Sequence, residues 1–120
     1  MQNIEETIQQ RKRVAFEYNK YFLDHPNIQV PFEDKNYSNV YWYYGIVINA
    51  NYKKVLAALT DNEIDYRHFF YSLHKQPFIN SKEILKNSES SFDSGILLPI
   101  FNELTNQEIK LISEVILDQL

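Results

Sequence analysis

The start of the chain carries apolar residues spaced as on one face of an α-helix, from Asn3 to Leu23. The aliphatic stem of Arg11 can fill the one step at which this pattern lacks an apolar side chain. The apolar positions are Ile4, Ile8, Ala15, Tyr18 and Phe22. A long amphipathic helix is therefore predicted, ending before Pro26 because the residue ahead of a proline is disfavoured in the α conformation. The polar stretch Glu33–Asn39 then predicts a loop.

The middle of the chain combines a strand pattern with a helix pattern. The run VYWYYGIVI, Val40–Ile48, is almost continuously β-branched and aromatic, which favours a strand covered on both faces. Gly45 within it indicates a bulge or the close approach of another backbone. Apolar residues on one face predict a helix over Tyr52–Asp61, which Asn62 can close in the left-handed conformation. A second strand is expected over Ile64–Tyr71.

Only short elements are predicted between this strand and the C-terminal segment. Ser81 can cap a short helix over Lys82–Lys86, and a further turn over Ser90–Ser94 would be stopped by Gly95. The apolar run Ile96–Leu98 predicts a short buried strand, which ends at the proline that follows it.

The C-terminal segment has the clearest helix-start signal in the sequence. Thr105 and Glu108 have the spacing of a capping box, in which each side chain accepts a hydrogen bond from the other residue's backbone. Leu104 and Ile109 flank the box in the positions of a hydrophobic staple. The apolar face of the predicted helix includes Ile109, Ile112, Ile116 and Leu120.

The order of these elements predicts the fold class. Helix, strand, helix, strand, short helices, short strand and helix favour an α+β domain with a sheet of about three or four strands. The long N-terminal helix and the C-terminal helix are expected to pack on this sheet. With 120 residues and 44% hydrophobic side chains, the chain has the size and core content of a single domain, residues 1–120.

Composition argues against several classes of function. The chain has 12 basic and 16 acidic residues, a net charge of −4 and no basic stripe, so binding to nucleic acid or to an anionic membrane is not expected. The one dense basic cluster, Arg11–Arg13, is interpreted as a solvated helix face. Cysteine is absent, which excludes disulfides and thiolate chemistry. Because no signal peptide or membrane-spanning run is seen, a cytoplasmic protein is expected.

The polar residues do not indicate a metal site or a hydrolase site. His25 lies in a proline turn, and His68 and His74 have no carboxylate at a convincing ligand spacing. Ser72 lacks the neighbouring glycine of an exposed nucleophile turn. The two glycines are isolated, so no phosphate-binding loop is predicted.

The run FFYSLHKQPF, residues 69–78, brings aromatic rings, an imidazole and a carboxamide together. From the residues alone it predicts a strand that leaves into a turn at Pro77, with His74 and Gln76 solvated on the rim. Lys75 is interpreted as a solvated lysine. Whether the imidazole has a chemical role stays open at this point.

Four motifs in the same order resemble the C-terminal domain of the DegT/DnrJ/EryC1/StrS sugar aminotransferases. YRHFFYSLHKQPF resembles the family's Arg, aromatic pair and Pro-Leu-His-x-Gln-Pro run. The basic helix with Ala15, Tyr18 and Asn19 is similar to the family's helix ending in Ala-x-x-Tyr-Asn, and VYWYYGIVI is similar to its central strand. ILLPIFNEL followed by TNQEI is similar to its Leu-x-Leu-Pro ending. The resemblance spans essentially the whole chain and implies the small domain of a fold-type-I aminotransferase.

Two positions depart from the family pattern. Ser72 stands where the family usually has proline before Leu-His, a change that can alter how rigidly His74 is presented. Glu63 replaces the usual glycine before Ile64, and Asn62 is expected to supply the left-handed residue instead. VYW together with HFFYSLHKQP looks most like the perosamine synthetase branch, which aminates a GDP-linked 4-keto-6-deoxyhexose.

The resemblance implies that pyridoxal phosphate (PLP) and its Schiff-base lysine belong to a larger domain that would precede Met1. The chain alone is then expected to bind no cofactor and to catalyse no transamination. The implied partners are this large domain and a second subunit, and apolar surface around Phe69, Phe70 and Phe78 is expected to be exposed without them. A free-standing interaction module that kept the fold without the chemistry is the competing interpretation.

The resemblance also implies a role in amino transfer from glutamate to a nucleotide-linked 4-keto-6-deoxy sugar, for cell-surface polysaccharide. The Leu-His-x-Gln turn would lie against the active site, with its imidazole touching the sugar or the cofactor rim. The implied substrate-binding residues are Arg67, Tyr71, His74 and Gln76. Arg67 is expected either to contact phosphate or to pair with Asp65, and Trp42 is interpreted as a core residue rather than a sugar platform.

Overall fold

The computed structural model describes residues 3–79 and 81–120, which form an α+β domain. In chain order the elements are α1 (Ile4–Phe22), β1 (Ile28–Gln29), β2 (Tyr44–Ile48), α2 (Tyr52–Asp61), β3 (Arg67–His68), a 3-10 turn (Leu73–Lys75), α3 (Lys86–Ser94), β4 (Gly95–Leu98) and α4 (Asn106–Leu117). The strands form one antiparallel sheet in the order β1-β2-β4-β3. The predicted fold class is confirmed, although no pattern in the sequence predicted β1.

One face of the sheet carries the hydrophobic core. Alternate residues of β2 are fully buried and those between them are half-buried, so the strand is sealed on one face and partly covered on the other. The ring of Tyr18 in α1 stacks on that of Tyr44 in β2, with centroids 4.8 Å apart. The core cluster includes Val14, Ala15, Tyr18, Phe22, Tyr44, Ile46, Ile48, Val55, Leu59, Ile96, Leu98, Ile109, Ile112 and Ile116. Helices α1, α2 and α4 therefore cover this face.

The opposite face of the sheet is covered by α3 and by the ring of Phe69. The register pairs Gly45 with Leu97 and Val47 with Gly95 without a bulge, so these four residues share that face. A Cβ atom built on Gly45 would lie 2.7 Å from the Phe69 ring, and one on Gly95 would lie 2.6 Å from it. Gly45 was predicted to mark either a bulge or the close approach of another backbone. It marks a close approach, but the approaching group is a side chain.

The predicted second strand, Ile64–Tyr71, is reduced to the two residues of β3. Its register pairs Arg67 with Leu97 of β4. The chain then leaves the sheet, because Phe69 folds across the two glycines and takes the following residues away from β4.

Strand β2 begins later than predicted, at Tyr44 rather than at Val40. Tyr41 has a left-handed backbone, with φ 49°, and Arg11 donates hydrogen bonds to the carbonyl oxygens of Tyr41 and Trp42 at 3.2 and 2.7 Å. Carbonyl groups bound in this way do not pair with a neighbouring strand. Trp42 consequently lies outside the sheet and is 69% exposed, so its interpretation as a core residue is wrong.

The interpretation of Arg11–Arg13 as a solvated face is wrong for both arginines. The guanidinium of Arg13 donates to the backbone carbonyl oxygens of Asn102 and Leu104 at 3.1 and 2.9 Å. It also donates to the side chain of Asn106 at 3.0 Å. Since every residue has a backbone carbonyl, the sequence holds no signal for such a partner. These bonds tie the start of α4 to α1.

The left-handed residue after α2 is Glu63, with φ 57°, and not Asn62 as expected. Asn62 has φ −95°, and its side chain donates to the carbonyl oxygen of Ala58 at 2.8 Å. The bounds of α2 itself are those predicted. The position at which the family pattern has glycine is therefore the position that needs a left-handed backbone in this fold.

The helix predicted over Lys82–Lys86 is wrong, whereas the turn predicted over Ser90–Ser94 is helical and ends before Gly95 as expected. Ser81 does not cap a helix over Lys82–Lys86, because its hydroxyl accepts a hydrogen bond from the Glu83 backbone at 3.2 Å in a turn. The helix begins at Lys86 and continues to Ser94, so it includes the separate turn that was predicted there.

The capping box at the start of α4 is confirmed. Thr105 Oγ1 accepts from the Glu108 backbone at 3.2 Å, and Glu108 Oε2 accepts from the Thr105 backbone at 2.8 Å. The hydrogen bonds that Oε2 accepts from the Thr105 backbone and hydroxyl lower the pKa of the Glu108 carboxyl. Leu104 and Ile109, the predicted staple residues, are both buried in the core. None of the helices in the described part of the chain has the length and apolar content of a membrane span.

The motif residues of α1 have structural roles. Ala15 is fully buried in the core. The hydroxyl of Tyr18 donates to the carbonyl oxygen of Pro99 at 3.1 Å, and burial raises the pKa of this phenol. Asn19 Oδ1 accepts a hydrogen bond from the Tyr44 hydroxyl at 2.8 Å. The Ala-x-x-Tyr-Asn pattern therefore joins α1 to the sheet through buried polar contacts.

Candidate functional site

The segment Tyr71–Gln76, called the His74 turn below, follows β3 and folds back on α3. Backbone hydrogen bonds close it, from Lys75 to the Ser72 carbonyl and from Gln76 to the Leu73 carbonyl, both at 3.0 Å. Gln76 itself is extended, as expected for a residue before proline. The turn replaces the predicted strand end with a compact loop whose side chains point in several directions.

His74 is buried and lies within hydrogen-bond distance of a carboxylate, rather than being solvated. The residue is 8% exposed, and its Nε2 lies 3.0 Å from Oε1 of Glu89 in α3. Its backbone carbonyl accepts a hydrogen bond from the Ser81 backbone at 3.0 Å. The prediction that His74 stands on a solvated rim is therefore wrong, because α3 packs against the turn and encloses most of the ring.

Glu89 is the centre of the polar contacts in this region. Its Oε2 accepts from Nζ of Lys75 at 2.7 Å, and its Oε1 also accepts from the Leu85 backbone at 3.2 Å. The hydrogen bonds from Lys75 and His74 lower the pKa of the Glu89 carboxyl to about 2. The same bond from Glu89 raises the pKa of Lys75. Lys75 is thus a partly exposed but paired cation, and the interpretation of it as solvated is only half right.

Two further contacts join the His74 turn to α3. Ser72 is buried, and its Oγ accepts a hydrogen bond from Oγ of Ser88 at 3.2 Å. The ring of Tyr71 meets that of Phe92 edge to face, with centroids 5.1 Å apart. The serine that replaces the usual proline therefore gives the turn a tie to α3, while Tyr71 keeps nearly half of its surface exposed.

The predicted site residues fall into two places. Tyr71, His74 and Gln76 share the turn, where Gln76 is partly buried. Arg67 instead lines a separate open groove of about 710 Å³ next to β4. Arg67 and Asp65 both line this groove but form no ion pair in the described structure, so the expected pairing is not seen.

Aromatic residues line part of that groove, and others are exposed elsewhere on the surface. Trp42 stacks on Tyr43 with centroids 4.6 Å apart, and Tyr43 meets Phe70 edge to face at 6.0 Å. Phe70 and Phe78 are 74% and 81% exposed, whereas Phe69 is partly buried against the sheet. Apolar surface is therefore presented by two of the three phenylalanines named from the sequence.

Sequence reasoning missed Glu89 as part of the site. It lies 15 positions after His74, between the helix predicted over Lys82–Lys86 and the turn predicted over Ser90–Ser94. No local spacing rule connects the two residues. The signal exists only when the contact between α3 and the turn is known.

The lysine of the His74 turn does not fit the part of the PLP lysine, which needs a reactive neutral amine. This lysine, Lys75, is held as a cation by Glu89. Within the described residues no cluster of histidine and carboxylate side chains is arranged to hold a metal ion. What the site supplies is hydrogen-bonding groups: an imidazole, a phenol and a carboxamide on one rigid turn.

The chain belongs to the DegT/DnrJ/EryC1/StrS aminotransferase family, because the sequence model of that family matches residues 1–117. The resemblance inferred from the four motifs is confirmed at the level of the family. No curated protein sequence gives a significant match.

Several solved structures superpose on nearly the whole chain. A DegT DnrJ EryC1 StrS aminotransferase from Brucella abortus is 24% identical, with a TM-score of 0.83 over 95% of this chain and 31% of its own. DesV from S. venezuelae, in complex with a ketimine intermediate, is 17% identical, with a TM-score of 0.85 over 95% and 32%. GDP-4-keto-6-deoxy-D-mannose-3-dehydratase from E. coli, with bound hydrated PLP, is 18% identical, with a TM-score of 0.79 over 93% and 31%. The chain therefore shares the fold of part of these proteins and spans about a third of their length.

Proposed function

We propose that this chain is the small C-terminal domain of a PLP-dependent sugar-nucleotide aminotransferase, and that it supplies the His74 turn to a site completed by a larger domain. The observation that carries the proposal is the family match over residues 1–117. The fold shared with one third of the DesV and E. coli dehydratase chains supports it, because those proteins were solved with a ketimine intermediate and with PLP.

The reaction we infer is amino transfer from glutamate to a 4-keto-6-deoxy sugar carried on a nucleotide. A GDP-linked sugar of the perosamine synthetase type is the favoured substrate, since VYW and HFFYSLHKQP carry that branch's pattern. The name of the E. coli relative also contains a GDP-linked 4-keto-6-deoxy sugar. The product would serve cell-surface polysaccharide synthesis in the cytoplasm.

The chain's own part in this reaction is recognition. His74, Tyr71 and Gln76 offer an imidazole, a phenol and a carboxamide, which are groups that bind sugar hydroxyls by directed hydrogen bonds. Arg67 offers a guanidinium to the phosphates of the nucleotide. PLP, with its lysine, and a second subunit would be held by the large domain, so residues 1–120 alone would not transfer amino groups.

The experiment that tests this function uses the coding sequence upstream of Met1. We expect an in-frame large domain with a PLP lysine, and the whole protein should transfer the amino group of glutamate to GDP-4-keto-6-deoxymannose. A dTDP-linked 4-keto-6-deoxyglucose serves as the comparison substrate, and residues 1–120 alone serve as the blank. If no such domain precedes the chain, or if the whole protein aminates neither sugar, the interaction module is the better interpretation.

The part assigned to His74 is tested in the same whole protein. His74→Ala should lower kcat/KM for the keto sugar about tenfold to a hundredfold, as expected for the loss of one hydrogen bond to a charged or reacting group. Since the residue is buried, circular dichroism and melting of the variant must first establish that it is folded. Glu83→Ala is the control, since Glu83 is exposed, precedes α3, and forms no side-chain ion pair in the described part of the chain.

A further inference from the structure

Glu89 holds the imidazole that the proposed function places at the sugar. We propose that Glu89 is a positioning residue for His74. Its carboxylate holds Nε2 of the imidazole toward α3 and leaves Nδ1 as the atom that accepts a hydrogen bond from a sugar hydroxyl. The inference rests on the proposed function, and it adds a residue in α3, a helix in which neither the residues nor the resemblance indicated a site residue.

The chemistry of the contact decides which nitrogen carries the proton. A carboxylate can only accept hydrogen bonds, so the imidazole nitrogen 3.0 Å from Oε1 must be protonated. In a neutral ring the other nitrogen, Nδ1, is then an acceptor. Among the described residues no group bonds to Nδ1. Every buried polar side-chain atom that lacks such a partner there keeps some contact with solvent. Nδ1 therefore has no partner among the described residues and is not completely sealed from solvent.

Glu89 is itself fixed, which is what a positioning residue requires. Lys75 holds Oε2 at 2.7 Å and the Leu85 backbone holds Oε1 at 3.2 Å, so the carboxylate cannot rotate to follow the imidazole. The bond between Ser88 and Ser72 keeps this turn of α3 against the ring. The direction of Nδ1 is therefore set by three hydrogen bonds that involve no ligand.

The direction of Nδ1 has a consequence for specificity. A buried acceptor that is placed to meet a hydroxyl loses its partner when the sugar is deoxygenated at that position, and such a site discriminates strongly against the deoxy analogue. An imidazole free to change tautomer would bind the sugar that has this hydroxyl and its deoxy analogue more equally. Glu89 is accordingly expected to act on the choice of sugar and on KM rather than on the reaction with glutamate.

The tautomer is measured by nitrogen NMR on the 120-residue chain labelled at its histidines, at alkaline pH where imidazoles are neutral. We expect His74 to carry its proton on Nε2 alone, and Glu89→Ala to give a mixture of the two tautomers. Glu83→Ala should leave the tautomer as it is, and His25 and His68 report whether each variant is folded. Protonation on Nδ1, or a mixture in the unaltered chain, overturns the proposal without any variant.

The positioning role is measured in the whole protein. Glu89→Ala should raise KM for the keto sugar roughly three- to tenfold while the half-reaction with glutamate is unchanged. Glu89→Asp should recover part of the loss if it restores the Nε2 tautomer. If His74→Ala impairs the enzyme and Glu89→Ala does not, the positioning role is wrong while the proposed function stands. If the whole protein is no aminotransferase, the proposed function fails, but the NMR result still decides whether Glu89 sets the tautomer.

Discussion

The ring of Phe69 lies on the bare backbone of Gly45, so closely that a Cβ atom on Gly45 would come within 2.7 Å of it. Gly45→Ala should therefore destabilise the fold by about 1–3 kcal/mol, the usual cost of overpacking. Urea unfolding measures this. The clash is with the far edge of a side chain, so Gly45→Ala combined with Phe69→Leu should cost less than the sum of the two single changes.

Gly95→Ala is the sharper version of the same test. A Cβ atom there would lie 2.3 Å from the backbone carbonyl oxygen of Ser91 in α3 as well as 2.6 Å from the Phe69 ring. Because a backbone cannot rotate away, a second change at Phe69 should not rescue this variant. If Phe69→Leu restores the stability of both glycine variants equally, the contact with Ser91 does not contribute to the cost of Gly95→Ala.

Glu63→Gly should stabilise the chain by about 0.5–1 kcal/mol. A non-glycine residue at φ 57° carries the steric cost of the left-handed conformation, roughly 1–2 kcal/mol, part of which the greater flexibility of glycine in the unfolded chain offsets. Asn62→Gly is the control, since Asn62 is not left-handed and loses its bond to Ala58. Thermal melting of the two variants should shift in opposite directions.

Acid should loosen the His74 turn through Glu89. The pKa of its carboxyl is about 2 in the fold against an ordinary value of 4.5, so its stabilising contribution is complete above about pH 4.5 and is lost as the pH falls toward 2. Urea unfolding of the unaltered chain and of Glu89→Gln should therefore differ most near neutral pH and converge in acid. Glu83→Gln removes an exposed carboxylate nearby, and its stability should change with pH in the same way as that of the unaltered chain.

Arg13→Lys should destabilise the chain by about 1–3 kcal/mol, although it keeps the charge. Lysine is shorter than arginine and has one nitrogen in place of three, so it cannot reproduce the bonds to Asn106 and to the carbonyl oxygens of Asn102 and Leu104 together. Lys12→Ala on the same helix removes one exposed bond to Ser38 and should stay within about 0.5 kcal/mol. Similar losses in both variants would contradict this reading of the arginine.

Self-association should be weak and concentration-dependent, if the chain is a domain separated from its partners. Phe70 and Phe78 expose apolar rings that a larger domain would cover under the proposed function. Sedimentation of the 120-residue chain should give mainly monomer, and Phe70→Ser with Phe78→Ser should remove the remaining association. A tight dimer at low concentration would favour a dedicated assembly module.

The sequence by itself determined the elements whose signals are local. The period of apolar residues located α1 and α2 to within a residue or two, and the capping box located the start of α4. These signals work because a helix is stabilised by groups three and four positions apart, all of which the sequence shows. The motifs likewise sufficed for the family.

Only the tertiary structure decided the partners of the polar side chains. Arg13 meets Leu104 across 91 positions and His74 meets Glu89 across 15, and no periodicity relates such pairs. The length of β3 depended on the contact of Phe69 with two glycines. The exposure of Trp42 depended on the hydrogen bonds from Arg11 to two backbone carbonyl groups. Such partners are fixed by how whole elements pack, because a hydrogen bond or a ring contact requires two groups to meet in space and sets no condition on their separation along the chain.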